Sequence, residues 1–169
     1  SIDYLFGFQG LLILDADALN RISKSKLGSN FFLERRFKTW ITPHCKEFSR
    51  LFSNINCETN LELAINAAKE FNISILLKGA NSIIADNKTA WQLFGTDSQT
   101  ARAGLGDLLS GFIAGSSAID LTFDSDIKTD FFAKYVLLHS FAASKCKSGS
   151  NASAIAVSYT HLTLPTIRL

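Results

Sequence analysis

Short, uninterrupted apolar runs that stop at polar, chemically capable side chains constrain this fold more than anything else in the chain. Gly10-Leu11-Leu12-Ile13-Leu14 ends abruptly at Asp15-Ala16-Asp17, and Ile73-Ser74-Ile75-Leu76-Leu77 delivers Lys78-Gly79-Ala80-Asn81-Ser82. Continuous rather than alternating apolarity predicts strands buried on both faces, as in a parallel sheet. Lys38-Thr39-Trp40-Ile41-Thr42 reads as another short strand, stopped by Pro43, which biases Thr42 to an extended backbone. Open α/β sheets place ligands beyond the carboxyl ends of their strands. Asp15, Asp17, His44 and Lys78 are therefore candidates for a site. Each has an ordinary alternative. Asp15 or Asp17 caps the turn into Ala18-Leu19-Asn20, His44 packs or caps, and Lys78 is a solvated lysine at a turn.

Helical signals alternate with these runs. Over Asn60–Phe71, the residues Leu61, Ala64, Ile65, Ala68 and Phe71 fall at three- and four-residue spacing, a core-facing stripe capped by Thr59 or Asn60. Ser82–Asp86 and Thr89–Phe94 flank Asn87-Lys88 as a β-hairpin. Phe31 to Lys38 is a mixed basic and aromatic connection, and Gly95 to Thr100 a polar loop. Ile119 to Thr129 reads as an acidic loop, with Asp130 capping a helix that runs to about Lys145. Phe131, Tyr135, Leu138 and Ala142 mark its buried face, with the packed His139 one position away. Ser148 to Ser153 reads as flexible. The alternation predicts an α/β layered fold with a largely parallel central sheet.

The strongest chemical signal is Ala103-Gly104-Leu105-Gly106-Asp107-Leu108-Leu109-Ser110-Gly111. Gly104 and Gly106 allow a tight turn and a close backbone approach to a ligand. The amides that follow are those of a helix start, suited to phosphate. Asp107 beside them is placed to take a proton from a hydroxyl while the amides hold developing charge. The plainer reading makes Asp107 an N-cap.

Composition narrows the class. The chain has 169 residues, of which 47% are hydrophobic and 19% charged, with a formal charge of +2. This fits one globular domain with a real core. The weak basic excess, without a Lys/Arg cluster, argues against nucleic acid as a partner. Apolar stretches fall short of a membrane span, and no signal peptide is visible. Cys45, Cys57 and Cys146 form no C-x-x-C and read as reduced thiols of a cytoplasmic protein. The sequence contains no methionine. Val157-Ser158-Tyr159-Thr160-His161-Leu162 is what a transposon-end sequencing adapter encodes in one frame. Residues 157–169 are accordingly read as adapter sequence and residues 1–156 as a partial domain, incomplete at both ends.

Five motifs in order carry a family resemblance. They are Leu14-Asp15-Ala16-Asp17-Ala18-Leu19-Asn20, Thr42-Pro43-His44 with Glu47, Leu77-Lys78-Gly79-Ala80, Gly104-Leu105-Gly106-Asp107 with Ser110-Gly111, and Leu138-His139. Together, over about residues 10–145, they resemble the ADP/ATP-dependent NAD(P)H-hydrate dehydratases, members of the ribokinase-like fold. The resemblance implies repair of hydrated NADH and NADPH. The ring hydroxyl would be phosphorylated from ADP or ATP, ADP being favoured, and phosphate elimination would restore the dihydronicotinamide. It implies that Asp107 is the base and a substrate contact and that His44 contacts the hydrate. Lys78, Gly79, Ala80, Asn81, Ser82 and Gly106 would hold the nucleotide, with Mg²⁺ on its phosphates. An epimerase, fused or separate, would be a partner, and a homo-oligomer is compatible. Lys46 stands where the family has glycine, and Asp97 stands for a common asparagine. Arg102-Ala103-Gly104 replaces a Thr-Gly-Gly approach, and Arg102 could itself reach a phosphate. With elements missing at either end, the fragment as written is expected to be unstable or inactive. The rivals are another ribokinase-like small-molecule kinase, of hydroxymethylpyrimidine or hydroxyethylthiazole type, and a non-catalytic nucleotide-binding module.

Overall fold

A computed structural model describes residues 2–94, 104–123, 126–146 and 152–163. Backbone contacts divide the chain into two compact units, Ser1–Phe94 and Gly95–Leu169.

The first unit runs α1 (Asp3–Gly7), β1 (Leu12–Leu14), α2 (Ala16–Ser23), α3 (Asn30–Glu34), β2 (Thr39–Ile41), α4 (Cys45–Leu51), α5 (Asn60–Phe71), β3 (Ser74–Leu77), β4 (Ile83–Ala85) and β5 (Ala90–Gln92). Its five strands lie in chain order, β1-β2-β3-β4-β5. The first three pair in parallel, and β4 turns back antiparallel to both β3 and β5. Four strands therefore point one way and β4 alone runs against them. The expected hairpin is present: the Asp86 Oδ1 carboxylate accepts from the Lys88 and Thr89 amides, each at 2.7 Å, and fixes the turn.

Both faces of the central strands are buried, as continuous apolarity requires. Leu14, Ile41, Ile75, Leu77 and Ile83 join one cluster with Phe31, Phe32, Phe48, Phe52 and Phe71. The alternate residues Trp40, Leu76 and Ile84 are buried as well. Helix α5 packs on β3 and β4. Its start is a capping box in which Thr59 Oγ1 accepts from the Glu62 amide and Glu62 Oε2 accepts from the Thr59 amide. Its stop is Asn72 in the left-handed region, φ 50°, which asparagine tolerates better than most side chains.

The basic and aromatic connection hides a structural arginine. Arg35, buried after α3, donates to the carbonyls of Leu5, Phe8 and Gly10 and to Thr39 Oγ1. One guanidinium thereby satisfies three backbone acceptors that lead from α1 into β1. Burial lowers its pKa from the ordinary arginine value.

The second unit comprises α6 (Leu105–Asp120), α7 (Thr129–Lys145) and α8 (Ala152–Thr163), which pack on one another. Leu105, Ala142, Ala143, Ile155 and Tyr159 form its apolar cluster, and the Phe112 and Tyr159 rings stack with centroids 4.1 Å apart. Helix α8 crosses Val157 and so enters the stretch read as adapter sequence. Three expectations are corrected here. Helix α6 continues to Asp120, past the start of the predicted loop. The N-cap of α7 is Lys128 rather than Asp130, which sits in the first turn. The buried face of α7 is Phe132, Tyr135, Val136, His139, Ala142 and Ala143, so His139 lies in it and Leu138 at its margin. The Tyr135 hydroxyl bonds Asp120, and burial together with that carboxylate raises its pKa.

Candidate functional site

In the first unit the carboxyl ends of β1, β2 and β3 are stitched together beyond the strands. The Thr42 amide donates to the Leu14 carbonyl at 3.1 Å, and the Lys78 amide donates to the Pro43 carbonyl at 2.8 Å. His44 and Lys78 form an isolated parallel bridge, three residues past the last β2–β3 pair, Ile41 with Ile75. Proline suits this seam: Pro43 has no amide to satisfy there and contributes only its carbonyl. Asp15, His44 and Lys78 are thus brought to one edge, as the sequence indicated.

Asp15 serves two purposes. Its side chain caps α2 by accepting from the Ala16 amide at 2.8 Å, and its Oδ1 also accepts from Lys78 Nζ at 2.7 Å. The pair is largely withdrawn from solvent, with side-chain exposures of 25% for Lys78 and 12% for Asp15. Lys78 is therefore not the solvated turn lysine of the plainer reading. Asp17, by contrast, makes an exposed pair with Arg21 inside α2 and is a surface residue.

His44 is the N-cap of α4, in the seat usually taken by Ser, Thr or Asp. Its Nδ1 accepts from the Lys46 amide at 3.1 Å and the Glu47 amide at 3.3 Å. Glu47 Oε2 answers by accepting from the His44 amide at 2.9 Å. Two amides on Nδ1 require that nitrogen to be unprotonated, so this bonding pattern assigns the neutral Nε2–H tautomer. Nε2 lies 3.4 Å from Glu47 Oε1; the imidazole is half exposed and the carboxylate buried. The packed-or-capping alternative is half right: His44 caps, yet its imidazole remains half exposed.

The segment after Lys78 forms a tight turn. Ser82 Oγ donates to the Gly79 carbonyl at 3.2 Å, and Gly79, Ala80 and Asn81 are exposed.

In the second unit, Gly104 is the N-cap of α6 with φ 83°, a backbone that glycine adopts without strain. Helix positions one to three are Leu105, Gly106 and Asp107. Asp107 is exposed in the first turn and does not cap, because Gly104 holds that seat and no side-chain cap bond forms. The first amides of α6 have no partner within the helix. Position, exposure and chain direction together give a carboxylate beside a helix start. Arg102, Asp97 and the loop Gly95 to Thr100 lie outside the described residues. His139 is buried on α7 and bonds the Tyr159 hydroxyl through Nδ1; desolvation lowers its pKa from 6.5 to about 4. That is the packed histidine the sequence indicated.

Cys45, Cys57 and Cys146 are free thiols. Among the described residues no three His, Cys, Asp or Glu side chains come together in a metal-holding group, and no helix is long and apolar enough to cross a membrane.

The sequence reading made Asp15 and Lys78 candidates separately but did not pair them, since 63 positions divide them. It also undervalued Glu47. The available signal was the spacing His-x-x-Glu before a helix, a capping box with histidine in the cap seat.

The fold is α/β and ribokinase-like. A ribokinase-like superfamily protein from Enterococcus faecalis superposes with a TM-score of 0.76 at 24% identity, over 98% of this chain and 56% of that one. The model of the NAD(P)H-hydrate dehydratase family matches residues 5–163, and the chain belongs to that family. It is 37% identical over 114 residues to the bifunctional NAD(P)H-hydrate repair enzyme of Synechocystis sp., covering 67% of this chain and 22% of that protein. It is 37% identical over 78 residues to the ADP-dependent (S)-NAD(P)H-hydrate dehydratase of Nitrosopumilus maritimus, covering 44% of this chain and 27% of that protein. The chain thus spans roughly a fifth to a quarter of the length of these relatives.

Proposed function

We propose that this chain carries part of the catalytic machinery of a nucleotide-dependent dehydratase that returns the S-epimer of hydrated NADH or NADPH to the dihydronicotinamide. The observation that carries the reading is the meeting of Asp15, His44 and Lys78 at the carboxyl edge of β1, β2 and β3, in a chain of this family.

The family resemblance suggests a role for each residue. Asp107 takes the proton of the ring hydroxyl, whose oxygen attacks the terminal phosphorus of ADP; the bond to the bridging oxygen breaks and AMP leaves. Amides at the start of α6, Gly106 among them, hold the charge on the transferring phosphoryl group. The new phosphate ester then departs as inorganic phosphate with the electrons of its C–O bond. The neighbouring ring carbon loses a proton, and the ring double bond returns. Lys78, with the Gly79–Ser82 turn, holds the nucleotide: an ammonium meets phosphate oxygens, and exposed turn backbone meets the rest. His44 offers Nε2–H to the hydrate, its Nδ1 being committed to α4.

ADP is the favoured donor, in keeping with the name of the Nitrosopumilus relative, and ATP the lesser one. Mg²⁺ fits as an ion carried on the nucleotide's phosphates, because such ions bind through substrate phosphates and one or two carboxylates rather than a protein cage. Carried on those phosphates it would neutralise their charge. A reduced, cytoplasmic setting suits the free thiols. An epimerase that interconverts the hydrate epimers is the natural partner, and the Synechocystis relative is named bifunctional.

The test uses the full-length protein, NADH hydrate and ADP, and follows the return of dihydronicotinamide absorbance. We expect nucleotide-dependent return that Asp107→Asn reduces by about 10²-fold or more. Phosphorylation of a different small alcohol without any return of absorbance would move the assignment to a related kinase.

A further inference from the structure

We infer that Asp15 is a positioning residue for nucleotide binding, acting through Lys78, an inference that rests on the proposed nucleotide site. Lysine is a poor phosphate binder when loose, because a four-carbon stem must be ordered at each binding event. Here the stem is ordered in advance. The Lys78 backbone is pinned by its amide to the Pro43 carbonyl at 2.8 Å, and its ammonium by Asp15 Oδ1 at 2.7 Å. The ion pair spans the end of β2, since β1 and β3 are its two neighbours in the sheet. An ammonium carries three donors, and Asp15 takes one of them, leaving two for phosphate oxygens. With its side chain three-quarters buried, the ammonium finds in Asp15 the counter-charge that lost water would otherwise supply. Asp15 is itself fixed by capping α2, so the carboxylate is held by its own helix start. Asp17, two residues on, cannot substitute: it is exposed and paired with Arg21.

The capping role complicates a simple deletion, so the variant must retain it. Asparagine caps a helix about as well as aspartate. Asp15→Asn therefore keeps the bond to the Ala16 amide and removes the charge that holds Lys78. Binding of ADP alone to the full-length protein, measured by titration calorimetry, is the readout, with a thermal midpoint as the folding check. We expect Asp15→Asn to weaken ADP binding about tenfold at an unchanged midpoint. In a Lys78→Met background the same substitution should have no further effect. In turnover, KM for ADP should rise while kcat for bound nucleotide changes little, a split that a general loss of structure does not give. Equal or tighter ADP binding by Asp15→Asn, or an equal effect with and without Lys78, overturns the inference and leaves the proposed function standing. Wild-type protein that binds no adenine nucleotide overturns both.

Discussion

The two units hold their chemically capable residues in different ways. In the first, polar side chains tie themselves to backbone: His44 and Glu47 cap each other across α4, Thr59 and Glu62 do so on α5, Asp15 caps α2, and Arg35 gathers three carbonyls. In the second, α6 starts on a glycine and α7 on Lys128, neither with a side-chain cap, and the helices are held by apolar packing. Hydrogen bonds fix direction and burial mainly fixes proximity. His44 and Lys78, in the first unit, are accordingly held in set orientations, whereas Asp107, in the second, is an exposed carboxylate in the first turn of its helix.

The largest effect should come from burial in the second unit. Phe132 is fully buried, and Phe132→Ala should cost about 3–5 kcal/mol in denaturant unfolding. A loss below about 1 kcal/mol would mean that α7 is not held by packing. In the first unit Arg35→Met should cost about 1–3 kcal/mol, because it keeps the stem but orphans three partly buried carbonyls. If Arg35→Met proves neutral, the hydrogen-bond account of that unit fails.

His139 gives the comparison a pH dependence. Its folded pKa is about 4 against 6.5 for an ordinary histidine, so the unfolded chain binds the extra proton first as pH falls. Its contribution is therefore intact above about pH 6.5 and is lost toward pH 4, by at most about 3 kcal/mol. Urea midpoints at pH 7 and pH 5 should fall on acidification in the wild type and less steeply in His139→Gln. A slope that the variant leaves untouched would assign the pH dependence elsewhere. The smallest effect is the α5 cap: Thr59→Ala should cost about 1 kcal/mol and Thr59→Ser almost nothing, by the same titration.

What was legible in the sequence was what depends on neighbours in the chain. Continuous apolar runs gave β1 and β3, three- and four-residue spacing gave α5 with its cap, and the two runs flanking Asn87-Lys88 gave the hairpin. Gly104 and Gly106 marked the start of α6. What was not legible depends on partners brought from afar. The Asp15–Lys78 pair needs β1 and β3 on either side of β2. Arg35 sits in a basic string that looks solvated until the carbonyls of Leu5, Phe8 and Gly10 surround it. On α7, hydrophobicity favoured Leu138 for the interior, but packing placed His139 there because the Tyr159 hydroxyl meets its Nδ1. That partner lies within the stretch read as adapter sequence. Loss of residues 157–169 should therefore expose His139 and raise its pKa toward the ordinary value.

The central claim is a reaction with fixed stoichiometry, and phosphorus NMR on the full-length protein reads it directly. With S-hydrated NADH, ADP and Mg²⁺, AMP and inorganic phosphate should appear in equal amounts, each matching the dihydronicotinamide recovered by absorbance. AMP and phosphate formed at the same rate without the hydrate, or a phosphorylated product that accumulates without recovery of NADH, would contradict it.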